Sequence, residues 1–525
     1  MNGATNLSGR LLPWQQAALL AAATIAVFAS TLSAGFVYDA RMQILTDPFL
    51  HDPRNWLPVL TFATLGMDVL DFNRPVNLAS LMLDAALWGR EPFGYHLTSV
   101  LLHAANVVLV WLVLRRLGGA AAASGRLAGL PAVLGSLVFA VHPLVTEAVC
   151  EPTFREDLLV AFFSLAGLLL AMGHDPAAAG WDARRAAGVV ACCLLAIGSK
   201  ESGIAAPMIV GAYWLAFRRG EPGRFWAVAI GAAKAIVAVF LVARFLLEVS
   251  PSRIFEYRPE YPGGTLAGAL AVQPRILALY IQLILLPVNQ CADYGIYSVR
   301  HLPLGPSIVI VAAALAGLAV AAWRDRRMAL AAAVILLPLL PVMNLVPIYR
   351  AAADRYLYLP LAGVGMAVGF LLDAPWLAGR QRLRAGLMLG AVAAVAALGL
   401  ACMARQRVWA GPVALWEDTF RKNPVAYTGA SGLAEALRMA GRLEEAERAA
   451  RRAIELCEGQ RGEPWATLAM VLDDQGRISE ADAAVERALE ADPKLADPDG
   501  RVAVMAMEQP YADALKPLLA RRPRR

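Results

Sequence analysis

Asp39, in Phe36-Val37-Tyr38-Asp39, follows directly on a long apolar stretch. His142, Glu147 and Arg155-Glu156-Asp157 lie together between two further apolar stretches. Lys200-Glu201 sits in a very short break flanked by Ser199 and Ser202, and Asp354-Arg355 stands just before another apolar run. Arg74, in Asn73-Arg74-Pro75, falls in a long connection near the N-terminus. Ionisable groups in or beside membrane spans are costly, which makes them functional candidates by default. The chemistry such a set supports is group transfer from a lipid-linked donor. A carboxylate at the membrane surface acts as general base on an acceptor hydroxyl. Neighbouring cations hold and stabilise a phosphate leaving group. A polyprenyl-phosphate donor needs a phosphate site at headgroup level and an apolar groove for its tail, and a multi-span chain with Arg and Lys at its outer edge offers both. Charges that simply stop at the interface, solvated and paired with their neighbours, are the plainer reading of each residue alone.

The elements that must position these residues are set by composition. The chain has 525 residues, 58% hydrophobic and only 17% charged, against about a quarter charged in a soluble domain. That excludes a soluble enzyme, a disordered chain and a nucleic-acid binder. Apolar runs of span length predict an all-α, polytopic membrane bundle of about eleven spans: Ala17–Phe36, Leu97–Leu114, Leu127–Val141, Leu158–Met172, Ala186–Gly198, Ile204–Phe217, Phe225–Leu247, Pro306–Trp323, Met328–Met343, Leu357–Leu372 and Ala385–Ala404. Arg275–Leu286, about 12 residues long, reads as a re-entrant or interfacial helix. Arginine clusters at 115–126, 184–185, 218–224, 324–327 and 380–384 then all fall on one side, which the positive-inside rule makes cytoplasmic. The N-terminus is inside on this reading, and the long first outer loop (37–95), the charged motifs and the C-terminus are outside. The apolar and aromatic residues of that loop predict helices lying on the membrane surface.

Beyond residue 422 the composition turns soluble. Gly441-Arg442-Leu443-Glu444-Glu445-Ala446 recurs as Gly476-Arg477-Ile478-Ser479-Glu480-Ala481, 35 residues later. That period, with Gly at the turn and Ala at close-packing points, is a tetratricopeptide pattern. Residues 1–422 therefore read as the transmembrane domain and 423–525 as a short α-solenoid, a degenerate third unit starting at Asp497. An array this short leans on the membrane domain or on a partner, and such repeats bind peptides or proteins in a concave groove.

His96 and His103 share one helix face, but no third ligand of matching spacing accompanies them, so no metal is assigned. Asp52, Asp68, Asp71 and Asp84 read as solvated loop charges. Cys150 and Cys291 both fall outside on this topology, which leaves a disulfide between them as one option. No glycine-rich phosphate loop is present, against a nucleotide-driven pump. Two rivals remain open: a non-catalytic membrane scaffold that uses its repeats for assembly, and a lipid or solute transporter.

Several motifs, in order, carry a family resemblance: Phe36-Val37-Tyr38-Asp39; Asn73-Arg74-Pro75; Gly94-Tyr95-His96-Leu97 with His103 and Asn106; Phe139-Ala140-Val141-His142-Pro143-Leu144-Val145-Thr146-Glu147-Ala148-Val149; Arg155-Glu156-Asp157; Lys200-Glu201-Ser202-Gly203; and Asp354-Arg355-Tyr356-Leu357-Tyr358-Leu359-Pro360. The chain resembles the membrane-plus-tetratricopeptide glycosyltransferases, a branch of the GT-C superfamily that includes protein O-mannosyltransferases. The resemblance implies Asp39 as catalytic base, a polyprenyl-phosphate sugar (mannose in the best-known members) as donor substrate, no separate cofactor, and a protein hydroxyl as acceptor. The family has two successive acidic residues there; this chain has Asp39-Ala40. Beside it, Arg155, Lys200, Arg355, His142, Glu147 and Arg74 are candidates for binding donor phosphate or substrate, with Glu201 and Asp354 supporting them. The alternatives are local pairs: Arg155 with Asp157, Lys200 with Glu201, Arg355 with Asp354. The Ala-, Gly- and Arg-rich composition points to the inner membrane of a bacterium, with the repeats in the periplasm.

Overall fold

The computed structural model describes residues 12–67, 69–118, 129–174, 182–221, 223–249, 261–262, 264–295, 299, 302–499 and 509–521. Asp68, Arg126 and the terminal Arg-Pro-Arg-Arg lie outside the described residues. The described chain is helical throughout, with no strand among the described residues. α1 (Pro13–Val27) is followed by α2 (Pro75–Trp88), α3 (Pro92–Leu117), α4 (Leu130–Val141), α5 (Thr146–Cys150), α6 (Arg155–Met172), α7 (Ala183–Ser199), α8 (Ala205–Tyr213), α9 (Arg224–Val249) and α10 (Leu266–Leu285). Next come α11 (Leu304–Arg324), α12 (Arg326–Leu336), α13 (Tyr358–Leu372) and α14 (Gln381–Gln406).

Five of the described helical segments are long and apolar enough to cross a membrane, and two bent pairs raise this to seven. Other expected spans form shorter helices: α7 has 17 residues, α8 has 9 before its winding changes, and α12 has 11 before it tightens at Leu337–Val342. Pro338 and Pro341 account for the last break, since proline supplies no amide donor. The stretch expected to be interfacial is instead the 20-residue α10, among the five. It runs through Pro274 without ending, and starts at Thr265, whose hydroxyl accepts the Gly268 N–H at 3.0 Å. α11 is almost wholly unburied, with Val309 and Trp323 exposed, so its apolar surface suits lipid rather than protein.

The centre of the bundle is held by small residues and a few buried polar bonds. α13 carries Gly365-x-x-x-Gly369 and crosses α4 at Gly135, where a methyl group on Gly135 would come within 2.4 Å of the Gly365 carbonyl oxygen. Only glycine permits that approach, as at small-residue membrane crossings. His103 of α3 reaches the Tyr358 hydroxyl of α13 (2.7 Å) and the Ala140 carbonyl of α4 (3.0 Å). Asn106 donates to Leu158 O of α6 and to the Tyr358 hydroxyl. His103 is thus satisfied packing, and its bonds fix where α13, with Asp354-Arg355 just before it, meets α6.

The first loop forms a small core of its own, around Ala40, Ile44, Leu50, Val59, Leu78, Leu81 and Tyr95, and leaves Leu57, Leu60 and Phe62 exposed. Beyond α14 follow α15 (Pro412–Lys422), α16 (Tyr427–Met439), α17 (Leu443–Leu456), α18 (Gly462–Asp474), α19 (Ile478–Ala491) and α20 (Gln509–Ala520). The sequence repeat is also a geometric one. Gly441 and Gly476 take positive φ, +73° and +76°, and the next amide, of Arg442 or Arg477, bonds back to Leu437 O or Leu472 O. This is the glycine-dependent helix stop. This segment packs on the bundle. Lys422 donates to Gln290 O, Asn423 to Asp293 O and Tyr294 O, and Arg405 pairs with Asp418.

Candidate functional site

Asp39 opens onto a cavity of about 210 Å3 between the first loop, the 349–353 connection and the C-terminal helices. Its walls include Tyr38, Arg41, Arg350, Trp416, Gly432 and Glu435. Tyr38 has φ +49°, a left-handed conformation uncommon for a bulky residue, and this turn presents Asp39. The turn is held from below. The Ala40 N–H donates to Glu151 Oε1 at 2.9 Å, and the Thr153 hydroxyl donates to the same oxygen at 2.8 Å. Glu151, fully buried, thus ties the Asp39 turn to the segment that leads into Arg155. Tyr38 stacks on Trp416, with centroids 5.7 Å apart. The indole in turn lies against the backbone at Gly432, where a methyl group would meet it at 2.5 Å.

On the other side of Tyr38 lies Phe154, 5.8 Å away edge-on, and the Arg355 guanidinium covers the same phenyl ring at 4.0 Å. One aromatic ring thus separates the Asp39 turn from Arg355. Arg355 is buried and paired with Glu147, and lines a much smaller cavity with Asp157, Val160, Ser202, Pro338, Val342, Tyr356 and Leu359. Tyr356 lies beneath both Arg355 and Lys200. Lys200 pairs with Glu156 (2.9 Å) and Asp157 (2.7 Å). Glu156 continues to Arg74 (2.5 Å), which also pairs with Asp71 (2.6 Å) and Glu201 (3.0 Å). Pro75 at the first position of α2 places Arg74 at the helix entrance, the preferred site for proline.

These contacts settle the local alternatives. Arg355 pairs with Glu147 rather than Asp354, which accepts from the Tyr294 hydroxyl at 2.5 Å. Lys200 does not pair with Glu201, which belongs to Arg74 and Asn73. Burial pushes Asp71 up to about 6 despite the Arg74 charge beside it. Burial works the same way on Glu201, but Arg74 and the Asn73 amide overcome it and hold that carboxyl down at about 2. Asp293 also sits below its usual range, because Arg350 and the Thr428 hydroxyl outweigh its burial.

Two expected site residues are placed elsewhere. Arg155 is fully buried and pairs with Asp84 at 2.5 Å, while donating to Ser80, Ser99 and Tyr95 O. Its charge and donors serve the junction of α2, α3 and α6, away from either cavity. Asp84, expected in solvent, is its buried counterion. His142 neither meets Glu147 nor faces a cavity. Its Nε2 donates to Ile284 O (3.0 Å) and its Nδ1 accepts from Leu144 N (3.3 Å), tying α4 to the end of α10. Asp71 is likewise part of the ion-pair network rather than a loop charge. Cys150 and Cys291 are free thiols.

Arg350, Asp293, Glu151, Phe154 and Trp416 also stand around the site and belong to none of the charged motifs. Arg350, Glu151 and Phe154 each lie within five residues of one of the charged motifs. Trp416 and Asp293 carry no such signal, since they reach the site only through packing.

An all-helical membrane protein with a carboxylate-bearing chamber over a buried ion-pair network is thus the class that the fold and site define. No protein-family profile matches the chain. Its curated relatives are TMTC-type protein O-mannosyl-transferases, in agreement with the family resemblance of the motifs. Protein O-mannosyl-transferase F38B6.6 of Caenorhabditis elegans is 26% identical over 370 residues, 66% of this chain and 49% of that protein. Protein O-mannosyl-transferase Tmtc1 of Drosophila melanogaster is 36% identical over 141 residues, 25% of this chain and 15% of that protein. Human protein O-mannosyl-transferase TMTC2 is 32% identical over 156 residues, 29% and 18% of the two chains. The chain thus spans half or less of the length of these relatives. Among solved structures, ArnT from Cupriavidus metallidurans bound to undecaprenyl phosphate aligns over 96% of this chain and 76% of its own, with 14% identity and a TM-score of 0.40, too low to establish a shared fold.

Proposed function

We propose that this chain is an integral membrane glycosyltransferase that moves a sugar, mannose by the names of its relatives, from a polyprenyl phosphate to a hydroxyl on a protein. The observation that carries this reading is the chamber itself: a carboxylate open to a cavity, one aromatic ring from a buried cation, at the junction with the repeat segment. Asp39 takes the proton of the acceptor hydroxyl as its oxygen attacks the anomeric carbon. The bond from that carbon to the phosphate oxygen breaks, and the electron pair leaves with the polyprenyl phosphate. Arg355 lines the smaller cavity on the far side of Phe154, and Lys200 and Arg74 brace it through the ion-pair network of Asp157, Glu156 and Glu201. Glu147, Glu201 and Asp354 hold those cations and their loops in register.

The repeats form the opposite wall and hold the acceptor, by the groove-binding habit of such arrays. The protein sits in the inner membrane of a bacterium with the repeats in the periplasm, and a periplasm-active reporter fused after Arg525 checks this.

The test is Asp39→Asn in detergent-purified full-length protein supplied with polyprenyl-phosphate sugars and an acceptor peptide. Transfer falls by about 100-fold or more, the range for a general base, with the donor KM little changed. Unchanged transfer removes Asp39 from the mechanism. Absence of turnover in the wild type with several such donors favours the scaffold.

A further inference from the structure

We propose that Arg350 is the cation that contacts the donor's phosphate beside Asp39, and that the repeat segment sets its position through Asp293 and Thr428. This rests on the glycosyl-transfer reading above. In a displacement at the anomeric carbon, the attacking oxygen and the departing phosphate oxygen lie on opposite faces of one carbon, with reacting atoms about 3–3.5 Å apart. The phosphate therefore belongs in the same chamber as the base.

The cations expected for this task are already committed. Arg355 is bound to Glu147, Lys200 to Glu156 and Asp157, Arg74 to Asp71, Glu156 and Glu201, and Arg155 to Asp84. Arg350 differs. It lines the Asp39 cavity, which none of the other four does, and its side chain is 29% exposed, against 22% for Arg74 and 10% or less for Arg355, Lys200 and Arg155. Its guanidinium lies over the Tyr38 ring at 5.7 Å, on the residue next to Asp39. A single nitrogen, Nη1, is anchored to Asp293 at 2.5 Å. Its other N–H groups make no hydrogen bond among the described residues. The second cation of the wall, Arg41, is turned onto the sulfur of Met439 at 3.2 Å.

The anchor leads out of the bundle. Asp293 Oδ2, which holds Arg350, also accepts from the Thr428 hydroxyl at 2.6 Å. Thr428 is in the first turn of α16, the helix that supplies Gly432 and Glu435 to the cavity. The helix that walls the acceptor side therefore also aims the guanidinium. During transfer the phosphodiester gains one negative charge as it leaves, Asp39 gains the acceptor's proton, and Arg350 stabilises the growing charge on the phosphate oxygen.

The test measures binding of a polyprenyl phosphate, without sugar, to the detergent-purified full-length protein by native mass spectrometry. Arg350→Gln weakens binding by about tenfold or more, the loss of hydrogen bonds to a charged group. Arg350→Lys lies between, since a lysine keeps the charge without the fork. Thr428→Val, which spares every charge, weakens binding by about two- to tenfold. Asp39→Asn, which removes a like charge beside the phosphate, does not weaken binding. Wild-type affinity in Arg350→Gln, alongside loss of transfer in Asp39→Asn, overturns the assignment and leaves the glycosyl-transfer reading standing. Failure of the wild type to bind any polyprenyl phosphate overturns both. Wild-type affinity in Thr428→Val with weak binding in Arg350→Gln overturns the part given to the repeats.

Discussion

Arg355 and Glu147, 208 residues apart, are joined twice: the Arg355 backbone N–H donates to Glu147 Oε2 at 3.0 Å, and its guanidinium bonds the other carboxylate oxygen. Both side chains are buried. Removing one partner of such a pair strands the other's charge, at about 3–5 kcal/mol. Glu147→Ala should therefore lower the detergent-solubilised protein's thermal midpoint strongly, and the double change Glu147→Leu with Arg355→Met should recover much of the loss. A midpoint as low in the double variant as in the single would show that the pair is not what holds this junction.

Arg155 and Asp84 make the same kind of pair without facing a cavity. The double change Arg155→Met with Asp84→Leu should leave polyprenyl-phosphate binding within about threefold of wild type, since no buried charge is left unmatched. A loss of tenfold or more would return Arg155 to the phosphate site.

Glu201 supplies a pH test. Its carboxyl is held at about 2 in the fold, chiefly by Arg74 against its burial, whereas an unperturbed Glu titrates near 4.3. A carboxyl depressed on folding contributes stability that is present above its unfolded pKa and is lost as pH falls toward its folded one. Glu201→Gln should thus be less stable than wild type at pH 7, and the gap should narrow between about pH 4.5 and 2. Asp71, pushed up to about 6, acts in the opposite sense: its cost sets in as pH rises through its unfolded value and is complete above its folded one. Thermal unfolding of Glu201→Gln and Asp71→Asn across pH 3–7 separates the two. A Glu201→Gln gap that stays constant with pH would contradict the assignment.

Gly432 is where the chamber is most easily closed. A methyl group there meets the Trp416 indole at 2.5 Å, so Gly432→Ala must move the ring that stacks on Tyr38. In a helix alanine is otherwise favoured over glycine by roughly 1 kcal/mol, so the variant should fold. Transfer should drop several-fold, with the larger effect on the acceptor's KM. Unaltered kinetics would mean that Trp416 does not shape the acceptor side.

Much of this molecule is legible in the primary structure because the signals are local. Apolar run length, the Gly441 and Gly476 turns 35 residues apart, and carboxylates and cations placed just outside apolar stretches all follow from neighbouring residues. The α10 helix is longer than its apolar run Arg275–Leu286 suggests, because the helix starts at Leu266 and continues through Pro274.

Electrostatic partnership could not be read the same way. Which carboxylate an arginine meets depends on which helix backbones come close, and that is decided by contacts such as Gly135 on Gly365 and His103 on Tyr358. These packing choices gave Arg155 to Asp84, Arg355 to Glu147 and Lys200 to Glu156 and Asp157. They also left Arg350 lining the same cavity as Asp39. Residue type and order alone marked carboxylates and cations just outside the apolar stretches; only the tertiary structure decided which of these charges pair with one another and which line a cavity.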